Sequence, residues 1–94
     1  MNKTVSFEAI RAKKRTPAEV AAFTFGLTGG KPNLEATAES FRNGAATMRE
    51  YAAKAAAAKS GLYRGYTEAQ ALELAAEQDE RAVSVPAELR KLMG

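Results

Sequence analysis

The sequence predicts an all-α fold, a small helical bundle or elongated helical hairpin of four to five helices, and three observations lead to this class. Helix-capping sequences recur along the chain, and its longest segment repeats apolar residues at heptad spacing. In addition, 21 of the 94 residues are alanine, the residue with the highest helix propensity. A chain of this length fits one domain with a thin core. We therefore expect residues 1–94 to form a single helical domain around a long central helix, about 34–59.

The N-terminal segment, residues 1–15, has more than one interpretation. Val5 and Phe7 alternate as they would in a short strand, whereas Phe7, Ile10 and Lys14 would share one face of a helix. We expect a short helix over 7–14. The alternative is that residues 1–15 form a flexible basic arm.

The first clear helix start is Thr16-Pro17-Ala18-Glu19. The hydroxyl at the N-cap and the glutamate at the third helical position form a capping box, and proline occupies the first helical position, where it is favoured. The helix should end at Gly29-Gly30-Lys31-Pro32, where two glycines and a proline remove helix propensity and a backbone donor. The pattern therefore predicts a short, apolar helix from Pro17 to the glycines.

The central segment should start after the N-cap Asn33 and close near Ser60-Gly61. One face carries apolar residues at alternating steps of four and three, a spacing that keeps a seam directed at a neighbouring helix. The residues of this seam are Leu34, Ala38, Phe41, Ala45, Met48, Ala52 and Ala55. Asn43-Gly44 is the weak point, because glycine in a helix interior costs about 1 kcal/mol relative to alanine. Since the seam keeps its register there, we expect the helix to continue, bent or straight, and a break at Asn43-Gly44 is the alternative.

The last third contains a second capping box, Thr67-Glu68-Ala69-Gln70, which predicts a helix to about Ala82. Its inward residues are expected to be Ala69, Leu72, Ala75 and Ala76. Val83-Ser84-Val85 should be extended, because the residue before Pro86 disfavours the α region. Pro86 would then start a final helix of about two turns.

Several function classes are disfavoured by composition. The chain contains no Cys and no His, so thiolate and imidazole chemistry are absent. The carboxylates Glu73, Glu77 and Glu80 share one helical face, and we interpret them as facing solvent or a partner. No segment approaches the roughly 18 apolar residues of a membrane helix, and charged residues occupy the place of a secretory signal. We expect no catalytic residue, cofactor, metal or small-molecule substrate, and a cytoplasmic protein, virion-associated if its source is viral.

The seam and the C-terminal helix carry the predicted binding surface. We expect a non-enzymatic helical module that packs against another protein or its own copies, as an accessory, inhibitor or structural subunit of viral or mobile-element type. The residues expected to bind are Leu34, Phe41, Ala45, Met48, Ala52, Leu89, Leu92 and Met93.

The alternative function is a small nucleic-acid-binding regulator. Its evidence is the basic cluster of Arg11, Lys13, Lys14 and Arg15, because adjacent cations displace counterions from phosphates. Tyr63-Arg64-Gly65-Tyr66 adds aromatic side chains that either stack on unpaired bases or cap the protein core. Both alternatives stay open at the level of the sequence.

Overall fold

The computed structural model of the chain describes residues 14–94 and shows an all-α architecture there. Three helices follow one another: α1 (Pro17–Leu27), α2 (Leu34–Ala57) and α3 (Glu68–Met93). The predicted all-α class is confirmed for this part of the chain. The predicted count of four to five helices is wrong for the same residues. The expected helix over 7–14 and the alternative basic arm fall almost entirely outside the described residues.

The helices begin where the capping sequences predict. At α1, Thr16 Oγ1 accepts a hydrogen bond from the amide of Glu19 at 3.2 Å, and Glu19 Oε1 accepts one from the amide of Thr16 at 2.7 Å. At α3, the same reciprocal pair joins Thr67 and Gln70 at 3.1 and 3.0 Å. These bonds satisfy amides that a helix start otherwise leaves unpaired. Both predicted capping boxes are therefore confirmed.

The middle element of the fold is α3, which packs along α2 and also contacts α1. The expectation that residues 34–59 form the central helix is therefore corrected. The physical reason is that α3 carries buried residues along its length and is the helix that both others contact. The molecule extends over 50 × 31 × 16 Å with a radius of gyration of 15.4 Å, against about 12 Å for a compact chain of this size. The fold is thus elongated.

The interface between α2 and α3 is built from alanine on both sides. The buried residues of α2 are Ala38, Ala45, Ala52 and Ala55, and those of the facing part of α3 include Ala71, Ala75 and Ala82. Methyl side chains permit two helix axes to approach at the short end of the usual 8–10 Å. α2 runs unbroken through Asn43-Gly44, as predicted, and Gly44 lies beside the side chain of Gln78.

A small apolar cluster forms where α1 meets the C-terminal half of α3. Ala21, Val85 and Leu89 are fully buried and make up its centre. Four partly buried side chains from α1 and α2 surround them: Val20, Phe25, Leu34 and Phe41. Val85 and Leu89 are the only fully buried side chains larger than alanine among the described residues. The whole fold therefore rests on a core of unusually small volume.

The predicted break at 83–85 does not occur, because α3 runs through Pro86 to Met93. Proline removes one backbone donor and disfavours the α conformation in the residue before it. Here, however, Ala82, Val85 and Leu89 continue the buried stripe across the proline. Burial of Val85 and Leu89, worth roughly 1.5–3 kcal/mol for each side chain, outweighs the local preference. The two predicted helices are therefore one.

The inward face of α3 also differs from the expectation. Of the four residues predicted to face inward, only Ala75 is buried, whereas Leu72 is 47% exposed and Ala69 and Ala76 also lie in solvent. The buried stripe follows the small residues Ala71, Ala75 and Ala82 instead. The reason is the close approach of α2, which leaves no space for leucine between the helices.

Enlarging an interface alanine should test this packing. We expect Ala45→Leu and Ala52→Leu each to lower the free energy of unfolding by about 1–3 kcal/mol, because the added atoms force the helices apart. Urea denaturation followed by circular dichroism measures the loss. Ala46→Leu and Ala53→Leu, at exposed neighbouring positions of α2, are the matched controls and should change it little. Equal effects at buried and exposed positions would contradict the alanine interface.

Replacing the helical proline should stabilise the chain. Pro86→Ala restores a backbone donor inside α3 and removes a residue that is about 3 kcal/mol less favourable than alanine in a helix interior. We expect the free energy of unfolding to rise by about 1–3 kcal/mol, since part of the gain is offset by lost ring contacts. Urea denaturation again measures it. A less stable variant would show that the proline ring contributes more through packing than it costs in the backbone.

Candidate interaction surface

The predicted binding seam of α2 is covered by the chain itself. Ala45 and Ala52 are buried, and Leu34, Phe41 and Met48 are half-buried on the side of α2 that meets α3. These five predicted site residues hold the helices together in this structure. From the C-terminal set, Leu89 is also buried, in the core cluster. Leu92 and Met93 remain exposed at the end of α3.

A different set of apolar side chains faces solvent. In the described part of the chain, seven large hydrophobic residues are exposed: Phe23, Leu27, Leu62, Leu72, Val83, Leu92 and Met93. Val83 is 74% exposed and Leu27 is 72% exposed. Single exposed apolar residues are common on proteins, but a set this large beside so small a core is not. Of these seven residues, only Leu92 and Met93 belong to the binding surface predicted from the sequence.

Helix α1 presents one part of this apolar surface. Its apolar residues surround the helix axis and do not form a single stripe, and only Ala21 is buried. Phe23 and Leu27, one turn apart, point outward. A helix that is apolar on all sides is normally covered on all sides, which α3 alone does not achieve here.

Helix α3 presents the other part, which we call the outer stripe: Ala69, Leu72, Ala76, Val83 and Ala87. All five are exposed, and their spacing places them within one narrow sector of the helix. On one flank of the stripe, Arg49 of α2 forms an ion pair with Asp79 of α3. The stripe therefore runs along most of α3, outside its contact with α2.

The basic residues at the start of the described chain have intramolecular partners. Lys14 Nζ lies 2.8 Å from Glu77 Oε2, and Arg81 Nη2 lies 3.6 Å from the same oxygen. Arg81 also donates a hydrogen bond to the backbone carbonyl of Arg15, and the guanidinium of Arg15 lies 5.4 Å from the ring centre of Phe23. Glu77, expected to face solvent or a partner, is mostly buried. Arg11 and Lys13, also predicted to bind nucleic acid, lie outside the described residues.

The loop between α2 and α3 gathers three tyrosines and two cations. Tyr51 packs against Tyr63 and Tyr66 with ring centres 5.3 and 6.2 Å apart. The Arg64 guanidinium lies 5.5 Å from the Tyr51 ring and 5.6 Å from the Tyr63 ring, and Lys54 Nζ lies 5.2 Å from the Tyr63 ring. The cluster lies at the loop end of the α2–α3 hairpin, where the two helices are joined.

A tight turn brings these tyrosines together. The amides of Tyr63 and Tyr66 each donate to the other's carbonyl at 2.9 and 3.0 Å. Arg64 and Gly65 have φ values of 52° and 84°, the left-handed pair that a two-residue hairpin turn requires. The pKa of Tyr63 is lowered below its usual value, mainly by a hydrogen bond from Arg64. The positive charges of Lys54 and Arg64 lower it further.

One open cleft of about 390 Å³ lies between the end of α1 and the start of α2. Its lining is uncharged: Thr24, Thr28, Asn33, Ala36, Thr37, Ser40 and Phe41. The hydroxyls of Thr28 and Thr37 donate to backbone carbonyls one turn earlier, at 3.0 and 2.8 Å. The cleft therefore offers neither an acid nor a base. In residues 14–94 there is also no group of three acidic residues placed to hold a metal ion.

None of the three helices in residues 14–94 combines the length and the apolar character needed to cross a membrane. The chain matches no protein-family model, and no curated protein or solved structure is significantly similar to it. Inferences about function therefore depend on the surfaces described above.

The role of Arg64 at the tyrosine cluster is directly measurable. The chain has three tyrosines, so in a Tyr51→Phe/Tyr66→Phe background Tyr63 is the only tyrosine whose ionisation changes the ultraviolet absorbance. We expect Arg64→Asn, which suits the turn, to raise the pKa of Tyr63 by removing the hydrogen bond and the charge that stabilise its phenolate. Ultraviolet absorbance titration measures this shift.

The matched control is Lys54→Ala, which removes the positive charge 5.2 Å from the Tyr63 ring but keeps the Arg64 hydrogen bond. It should move the pKa of Tyr63 less than Arg64→Asn does. The folded-state pKa is lowered, so the ionised phenolate favours the folded state at alkaline pH, and this contribution disappears as pH falls through that pKa. Equal shifts in the two variants would show that general charge, and not the bond, lowers the pKa.

Proposed function

We propose that the protein is a non-enzymatic helical interaction module that acts by packing apolar helix faces against another polypeptide. The role fits an accessory, inhibitory or structural subunit of a larger assembly. The observation that carries the proposal is an inverted distribution of apolar side chains. Among residues 14–94, seven large ones are exposed, and only Val85 and Leu89 of the fully buried side chains exceed alanine in size.

The energetic consequence of this distribution favours association. Full burial of a Val, Leu or Phe side chain contributes roughly 1.5–3 kcal/mol, and most of this gain is still unused at Phe23, Leu27 and Val83. A partner that covers a few such residues gains enough to offset the entropy of association. The same side chains exposed in a monomer are an aggregation hazard. A binding role explains why they are present.

The nucleic-acid alternative has less structural support. Of its four proposed cations, Lys14 is paired with Glu77 and Arg15 packs on the ring of Phe23. Contact with phosphates would replace these interactions at a cost that cations free in solvent do not have. The tyrosine faces nearest to Arg64 and Lys54 are likewise already in contact with cations. We therefore place protein association first.

Photo-crosslinking tests the proposed function. A photoreactive amino acid is introduced at Leu27 or Val83 on the apolar surface, or at Asn43 on the exposed polar face of α2 as the control. In the cells that produce the protein, we expect discrete crosslinked bands from the first two positions and none from the third. Sedimentation of the purified chain then separates self-association from binding of another protein. A chain that sediments as a monomer and crosslinks equally poorly at all three positions would refute the function.

A further inference from the structure

We propose that the outer stripe of α3 pairs with the same stripe of a second copy of this chain, in antiparallel orientation, to form a two-fold symmetric dimer. This inference rests on the proposed function and names its partner and its contact face. Three features point to this occupant: the exposure of the stripe, the distribution of charge along α3 and the alternation of side-chain size.

The stripe has the geometry of a helix-pairing seam. Leu72 and Val83 are separated by eleven residues, which is close to three full turns, so both side chains project in nearly the same direction. Ala69, Ala76 and Ala87 fill the positions around them, and the steps of three, four and seven match a heptad pattern. Leu72 is 47% exposed and Val83 is 74% exposed. A seam of this kind on a 26-residue helix has no partner helix within residues 14–94.

The charges along α3 favour a second copy in antiparallel orientation. The N-terminal half carries Glu68, Glu73, Glu77, Asp79 and Glu80 and no basic residue, whereas the C-terminal half carries Arg81, Arg90 and Lys91 against one acidic residue, Glu88. In a parallel pair, acidic halves would lie side by side and repel. In an antiparallel pair, the acidic half of one helix meets the basic end of the other at both ends of the interface. The helix dipoles are also opposed in this orientation.

One register satisfies charge and size together. It places Glu68 level with Arg90 and Lys91 of the second copy, and because Lys91 already pairs with Glu88 of its own chain, Arg90 supplies the opposite charge at each end of the interface. In the same register Leu72 lies opposite Ala87 of the second copy, and Ala76 lies opposite Val83. Each large side chain therefore meets a small one, as close packing of two helices requires.

The two-fold axis of this register passes between Asp79 and Glu80. Two carboxylates from each copy approach there, which opposes association. Asp79 already forms an ion pair with Arg49 of its own chain, which offsets part of this repulsion and leaves Glu80 as the main unfavourable charge. The arrangement gives a distinctive expectation: removing the charge of Glu80 should strengthen the dimer.

Sedimentation equilibrium of three variants tests the surface. We expect Val83→Glu to weaken dimerisation about tenfold or more, because it buries a charge in the seam. Glu80→Gln should strengthen dimerisation. The control Ala46→Glu adds the same charge on the exposed face of α2 and should leave it unchanged. All three positions are exposed helix positions, and circular dichroism checks that each variant folds. A wild-type dimer that none of the three substitutions alters would overturn the proposal.

Spin-label distances test the orientation. Because the chain has no cysteine, a single cysteine introduced at 68, 80 or 91 carries the only label. The proposed dimer places the two labels about 35 Å apart at 68 and at 91, from 1.5 Å of rise per residue, and about 10 Å apart at 80. Distances near 10 Å at all three positions would show a parallel pair and overturn the proposal.

Failure of this inference can be told apart from failure of the proposed function. A monomer that crosslinks to another protein through Val83, or a dimer with long label distances at position 80, overturns the α3 pairing but retains an interaction module. A monomer without crosslinks overturns both. Short distances at position 80, long distances at 68 and 91, and a tighter Glu80→Gln dimer support the pairing.

Discussion

The close contact between α2 and α3 is the constraint on which the rest of the structure depends. Both facing stripes consist of alanine, with Ala45 and Ala52 on one side and Ala71 and Ala75 on the other. Alanine contributes little burial energy for each residue, but it permits many backbone and methyl contacts between two long helices. Along its buried centre such an interface leaves no space for larger side chains, and Leu34, Phe41 and Met48 of α2 are only half-buried. The leucine and valine residues of α3 that do not fit between the helices therefore lie on its outer face.

The same constraint determines where the larger apolar residues of the core lie. Only at the C-terminal half of α3, where α1 also contacts it, is there room for Val85 and Leu89. This cluster carries α3 across Pro86, because ending the helix there would expose both side chains. It also receives only one side of α1, so Phe23 and Leu27 stay in solvent. The exposure of Phe23 and Leu27 on α1 thus follows from the same close contact between α2 and α3.

The sequence predicted correctly those features that depend on interactions within a single helix. The capping boxes at Thr16 and Thr67 and the seam of α2 follow from hydrogen bonds and spacing within one helix, and each is found in the structure. The continuity of α3 through Pro86 depends on the burial of Val85 and Leu89, and the outward position of Leu72 depends on how closely α2 approaches. Neither tertiary contact can be predicted from the local sequence pattern. The exposed residues had weak signals, namely the all-round apolar character of α1 and the eleven-residue spacing of Leu72 and Val83. Large apolar residues at helical spacing are usually expected to lie in the core, so these signals did not indicate an exposed surface.

A thin core and an exposed seam are thermodynamically linked. Because few large side chains are buried, the isolated chain has a small margin of stability, as expected for a domain of this size. Any partner that binds the folded chain and not the unfolded one adds to that margin by mass action. Covering the outer stripe buries Leu72 and Val83 and supports α3 on the side that its own chain leaves open. Since α3 is the element that both other helices pack against, stabilising it through association stabilises the whole fold.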